Sequence, residues 1–397
     1  MNHERHDGHE GQKLFLRVLR NLRGLINSVP ASLRREIGQL LIGSLPGTTV
    51  TAEMRSLMRE FQLGGVTLFT RNIEAPEQVA ELDQDLQQLS SDLPLWVAVD
   101  QEGGRVARLQ SPFTKWPAMA TLGRSRDEQL AYRFAAALAA ELRAVGITLD
   151  YAPVLDIHTN PKNPIIGDRA LGEDAAMVAK LGAAIVRGLQ DNGVAACGKH
   201  FPGHGDTSVD SHLELPLVEH PPDRIRRVEC VPFREAIRND VAFIMTAHIL
   251  VPSLDEEKPA TLSSKIVRGM LREELDFNGV ILSDDLEMKA LADQYSVPDA
   301  AVQAIAAGCD GVLVCRANVA DRTQDAQVQA AVLEALVHAV EDGRIPYKRA
   351  EDALARHRRA KERFLAAPVT PGRPPALRHL LGCDQHRQIA DEMARYL

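Results

Sequence analysis

Between Lys199 and Pro216 the chain reads KHFPGHGDTSVDSHLELP, placing His200, His204 and His212 beside Asp206 and Asp210 in one short run. Imidazoles and carboxylates move protons near neutral pH and also ligate divalent metals, so the segment admits two chemistries. In one, His200, His204, Asp206, Asp210 and His212 form a metal-ligand set. In the other, Asp210 orients the His212 ring and raises its basicity, so that His212 shuttles a proton. Gly203 and Gly205 interrupt the run and Pro216 closes it, which makes a poor helix and a poor strand. The segment is expected to be a loop, its glycines conferring the mobility that a proton donor uses to swing in.

Three further clusters carry chemistry. In GVILSDDLEM, Asp284 follows an apolar run and one serine, as a carboxylate at a strand end would. Successive strand residues face opposite sides, so Asp285 is expected to point elsewhere or to cap the next helix. In VDQEGGRVARLQ, Asp100 can accept from ligand hydroxyls, Arg108 can donate, and Gly103 with Gly104 allows close backbone approach to a ligand. In NPIIGDRAL, Arg169 lies in a Gly-Asp loop, where it either reaches a ligand or pairs with Asp168.

These residues need a scaffold that brings them to one face. From about residue 36 the chain alternates short apolar runs with amphipathic segments, the pattern of a parallel sheet covered by helices. Strands are expected over 39–43, 65–70, 95–100, 148–157, 194–200, 242–248, 280–284 and 311–315. Helices are expected over 74–89, 127–146, 173–193, 223–240 and 264–279, several of them ending at Gly or Asn-Gly. Eight strands close a TIM-type (β/α)8 barrel, which carries its active site at the C-terminal strand ends. Asp100, Asp156, His200, His248 and Asp284 fall there. A doubly wound sheet is disfavoured because no GxGxxG turn follows the first strand. A barrel metallohydrolase would supply paired histidines at its first strand ends, and these are missing here.

The expected organisation is an extension over 1–31, one barrel over 32–368 and a helical tail over 369–397, with the Pro-rich APVTPGRPPALRHLL as a linker. Within the extension, 14–26 forms an amphipathic helix with Arg17, Arg20 and Arg23 on one stripe, suited to packing on the barrel or to an anionic membrane surface. Lys and Arg total 46 against 54 for Asp and Glu, a balance that offers nucleic acid no electrostatic footing. Five cysteines without a CxxC pair suggest buried free thiols rather than disulfides or a thiolate zinc site. No apolar run has the length of a signal peptide or a membrane span, so a cytoplasmic location is expected.

Together VDQEGGRVARL, NPIIGDRAL, KHFPGHGDTSVDSHLELP and GVILSDDLEM resemble, in order and spacing, the family 3 glycoside hydrolases and within them the single-domain β-N-acetylhexosaminidases. The resemblance spans roughly residues 37–340. It implies retaining removal of terminal β-linked N-acetylglucosamine, in bacterial members from cell-wall fragments during peptidoglycan recycling. Asp284 then matches the nucleophile, His212 the acid/base and Asp210 its partner, while Asp100, Arg108, Arg169, Lys199 and His200 match sugar-contacting positions. The implied partner is a small carbohydrate, with no metal or organic cofactor. The resemblance leaves open the preferred aglycone, hydrolysis against phosphorolysis, and the oligomeric state.

Overall fold

The computed structural model describes residues 31–207, 215–315, 324–366 and 374–397. Asp210 and His212, the 14–26 segment and residues 367–373 of the Pro-rich linker lie outside these residues.

Eight parallel strands close on themselves: β1 (Leu41–Ser44), β2 (Gly65–Leu68), β3 (Trp96–Val99), β6 (Leu149–Asp150), β7 (Ala195–Phe201), β8 (Phe243–Thr246), β9 (Val280–Asp285) and β10 (Gly311–Leu313), with β10 pairing back to β1. A small hairpin of β4 (Gln101–Gly103) and β5 (Val106–Ala107) follows β3. All eight expected strands are therefore present. The fourth is much shorter than the expected 148–157, because Pro153 lacks the N–H that a ladder needs. The chain beyond Asp150 still runs beside β7, through Leu155 N–H to Lys199 O at 2.6 Å and Lys199 N–H to Pro153 O at 3.1 Å.

The barrel interior is filled by side chains from alternate strand positions, among them Ile42, Trp96, Leu149, Phe243, Leu282 and Leu313. Trp96 meets Phe243 edge-on at 5.2 Å and Phe364 at 6.3 Å. Phe364 comes from helix Tyr347–Leu365, which closes the floor of the barrel. Below the strands, the buried Asp310 carboxylate binds three guanidiniums, Arg272 at 2.5 Å, Arg349 at 2.6 Å and Arg356 at 3.2 Å.

Helices cover the outside, and their starts follow the chain's caps. Asp127 accepts from the Gln129 and Leu130 N–H groups at 2.8 and 3.1 Å to open Glu128–Ala144, and Asp174 accepts from Met177 N–H at 2.8 Å to open Ala175–Asp191. The expected helix over 223–240 is two pieces, Pro222–Arg227 and Cys230–Arg238. Pro232 falls in the first turn of the second, where its missing N–H breaks no helical bond. The expected helix over 264–279 is a π-helix over Lys265–Glu274. At the C-terminus, Asp384–Ala394 docks on Glu128–Ala144 through His386 to Glu141 at 2.8 Å and Arg133 to Glu392 at 2.9 Å.

The cysteines are free thiols, four of them buried. No helix among the described residues is long and apolar enough to cross a membrane.

Candidate active site

Strand closure brings the chemical residues to the C-terminal mouth, because each stands at or just beyond the end of its strand. Lys199 and His200 end β7, Asp284 ends β9, Asp100 and Glu102 follow β3, and Asp156 and Arg169 sit on the long connection after β6. Lys199 is the hub. Its Nζ donates to Asp100 Oδ1 at 2.7 Å and lies 2.6 Å from Glu102 Oε1, and its side chain is 3% exposed. Burial alone would lower this ammonium's pKa, but Asp100 and Glu102 outweigh it and hold the group charged well above its ordinary range.

Glu102 was not among the residues that the sequence singled out. It is buried, and it takes both Arg169 Nε at 2.9 Å and Arg169 Nη2 at 2.8 Å in a two-pronged pair. Burial raises its pKa, and Arg169 with Lys199 overcomes that to leave the carboxyl far below the usual range. Arg169 therefore does not pair with Asp168, which binds Arg105 at 3.0 Å instead. Its remaining nitrogen, Nη1, reaches Ile165 O at 3.3 Å, so all its hydrogen bonds hold the protein in place. A charged residue beside a Gly-Gly turn in VDQEGGRV was the only local signal for Glu102.

Asp100 and Arg108 are the more open members. Arg108 Nη2 donates to Asp100 Oδ2 at 3.3 Å, and its guanidinium lies 5.9 Å from the Phe69 ring. Burial raises the Asp100 pKa, while Lys199 and Arg108 carry it below the ordinary value. Asp100 is thus an anion that can accept from ligand hydroxyls, with Arg108 as an adjoining donor.

His200 is held by Asp156, on the connection that follows β6. Asp156 accepts from His200 Nδ1 at 2.6 Å, from the His200 N–H at 3.2 Å and from the His204 N–H at 2.6 Å. Burial opposes the charge on Asp156, and His200 with His204 more than compensates, leaving its pKa lowered. With Nδ1 committed, Nε2 is the His200 atom open to a ligand. Burial and the neighbouring His200 push the His204 ring down to about 4, so it is neutral, and its Nδ1 pairs with Thr207 Oγ1 at 2.8 Å.

Asp206 binds His220 Nε2 and accepts from Thr159 Oγ1 at 3.0 Å. His204 and Asp206 thus bind other groups of the protein and shape this loop. Among the described residues no group of three His, Cys, Asp or Glu side chains is arranged to hold a metal ion. Gly203 has φ +126°, and a Cβ on Gly205 would stand 1.8 Å from Ile157 O, so both positions require glycine.

Asp284 is half-buried at the mouth, its Oδ1 accepting from the Asp285 N–H at 2.8 Å. Asp285 turns away, as alternation requires, to accept from the Cys315 N–H at 3.1 Å and the Glu287 N–H at 3.3 Å. His248 Nε2 lies 3.0 Å from the Asp285 carbonyl and its Nδ1 2.8 Å from Thr261 Oγ1, which ties β8 to the backbone carrying Asp284. A half-open carboxylate beside a fixed array of charged donors and acceptors suits attack on a polyhydroxylated ligand.

Residues 32–360 match the model of the glycosyl hydrolase family 3 N terminal domain. A curated relative from Pseudoalteromonas piscicida, beta-hexosaminidase A, is 35% identical over 369 residues, covering 87% of this chain and 60% of its own. The chain therefore spans less than two thirds of that relative's length. A solved family 3 β-N-acetylglucosaminidase from Paenibacillus sp. superposes with TM-score 0.85 at 41% identity, covering 93% of this chain and 69% of that one. NagZ from Neisseria gonorrhoeae, solved with N-trifluoroacetyl-D-glucosamine, superposes with TM-score 0.72 at 32% identity over 90% of this chain and 97% of that one. This chain belongs to glycosyl hydrolase family 3.

Proposed function

We propose that the protein is a retaining β-N-acetylglucosaminidase that removes terminal N-acetylglucosamine from cell-wall fragments in the cytoplasm. The observation that carries this reading is the charged array of Asp100, Glu102, Arg169 and Lys199 beside Asp284 at the mouth of a family 3 barrel. The relatives named for β-hexosaminidase and β-N-acetylglucosaminidase activity support the choice of sugar.

In this mechanism an Asp284 carboxylate oxygen bonds to the anomeric carbon as the bond to the leaving oxygen breaks, and His212 gives that oxygen its proton. Water then attacks the glycosyl-enzyme, His212 takes the water proton, and Asp284 leaves. Asp210 orients the His212 ring. Asp100 and Arg108 grip sugar hydroxyls, Lys199 and His200 border the same subsite, and Arg169 acts through Glu102. A sugar lacking those hydroxyls forfeits hydrogen bonds to these charged groups, which makes the clamp selective.

The test is Asp284→Ala with a chromogenic β-N-acetylglucosaminide. Turnover should fall at least 1,000-fold while the thermal transition is retained. A slow fluorinated substrate should leave a covalent adduct on Asp284 in the wild type, and an adduct elsewhere would refute the assignment. Running the assay with and without phosphate distinguishes hydrolysis from phosphorolysis by the product formed.

A further inference from the structure

In sequence, Asp210 and His212 lie between Thr207 and Leu215, and the chain on each side of that stretch is anchored to a different part of the barrel mouth. On the first side, Asn160 Nδ2 donates to the carbonyls of Asp206 and Thr207 at 3.4 and 3.3 Å, Asn163 Nδ2 to Thr207 Oγ1 at 3.2 Å, and Thr159 Oγ1 to Asp206 Oδ1 at 3.0 Å. All three donors belong to the connection after β6. On the second side, the Leu250 N–H donates to Pro216 O and the Val218 N–H to Leu250 O, both at 2.9 Å, which lays the chain beside the stretch that follows β8. Ser253 Oγ, from the same stretch, donates to His220 O at 2.5 Å. A side-chain bond then joins the two anchors: His220 Nε2 donates to Asp206 Oδ2, 14 residues away in sequence. A carboxylate only accepts, so Nε2 carries the proton, and both side chains are only 25% exposed, which limits competition from water.

We propose that His220 and Asp206 are positioning residues for the acid/base step: their bond fixes against each other the two ends of the stretch that carries Asp210 and His212, and so sets how often the His212 proton reaches the leaving oxygen. The proposal rests on the glycosidase reading. Chain held between two fixed points samples fewer arrangements than chain whose ends move independently, and proton transfer demands placement within hydrogen-bond reach. The rest of the site does not depend on this bond. Asp284 stands on β9, Lys199 and His200 on β7, and Asp100 with Arg108 beside the β4–β5 hairpin, each held by contacts of its own. Loss of the His220–Asp206 bond should therefore separate proton donation from nucleophilic attack and sugar binding.

The experiment compares kcat/KM on two β-N-acetylglucosaminides that differ in their need for a proton. An alkyl leaving group departs as an alcohol once His212 protonates it, whereas a dinitrophenyl group departs as a stable phenolate without that help. For His220→Ala and for Asp206→Ala, kcat/KM should fall about 10–100-fold on the alkyl substrate and less than about threefold on the dinitrophenyl substrate. The double variant should fall no further than either single one, since the two side chains act through one bond. His220→Gln, whose amide donates from near the place of Nε2, should recover most of the loss. Equal falls on the two substrates, no fall on either, or no recovery with glutamine overturns the proposal. If neither alanine variant folds, Thr159→Val, which releases the other Asp206 oxygen, carries the test: a severalfold fall confined to the alkyl substrate supports the proposal, and any other pattern overturns it. A wild type that turns over neither substrate shows that the functional reading is wrong, and the proposal falls with it; an active wild type with unselective variants removes the proposal alone.

Discussion

Replacing Glu102 by glutamine keeps the shape of the side chain and removes its charge. The carboxylate is buried, and it is shared by Lys199 at 2.6 Å and by two nitrogens of Arg169 at 2.8 and 2.9 Å. Glutamine can accept only at Oε1, so one of its three donors at least is left facing an N–H group, and Lys199 is left with Asp100 as its sole anion. Breaking a buried pair from one side costs about 3–5 kcal/mol, and the isosteric amide puts this case near the lower end, about 3 kcal/mol. For a domain of more than 300 residues that is a fall of roughly 4–6 °C in the melting temperature. Carried into substrate binding through the displaced Lys199, the same energy lowers kcat/KM on the order of 100-fold. The folded Glu102 has a pKa well below its ordinary 4.5, so its contribution is complete above about pH 5 and is lost as acid titrates the folded carboxyl. The gap in melting temperature between wild type and Glu102→Gln should therefore be constant from pH 5 to 8 and narrow below pH 4.5. Arg105→Ala is the control. It breaks the Arg105–Asp168 pair, whose side chains are about half exposed, and should cost under about 1 kcal/mol. Equal melting temperatures and kcat/KM for Glu102→Gln and wild type would refute the view that this buried cluster organises the site.

Two further outcomes test the scaffold. Lys361 is buried beneath the barrel with its Nζ on Gln39 Oε1 at 2.7 Å, and burial drives its pKa from 10.5 down to about 7. The unfolded chain holds that proton up to about pH 10.5, so the lysine destabilises the fold most at and below pH 7. Lys361→Met should raise the melting temperature by a few degrees at pH 7, and calorimetry should show the gain shrinking towards pH 10. Gly205→Ala sets a Cβ against the Ile157 carbonyl, next to the Asp156 that fixes His200. It should cost about 1–3 kcal/mol of stability and raise KM severalfold; a fully wild-type KM would show that this packing does not reach the site.

Much of the architecture was legible in the chain because its signals are local. Apolar runs that alternate with amphipathic segments marked all eight barrel strands, and Gly or Asn-Gly endings marked the helices over 127–146 and 173–193. Asp284 and Asp285 parted as strand alternation requires. The same local reasoning overextended the fourth strand, where Pro153 ended the ladder, and ran two helices together across 223–240. Helix type over 265–274 also escaped it, since π-helical and α-helical segments share one apolar pattern.

The sequence by itself determined which side chains stand at strand ends, because a period of two and a count of eight are properties of the chain. Which carboxylate meets which cation was decided only by the tertiary structure. Arg169 chose Glu102, 67 residues away, over the adjacent Asp168, and Lys199 met Asp100 from 99 residues away. The reason is physical: Coulomb energy and desolvation depend on distance and burial, and neither quantity exists until the barrel closes.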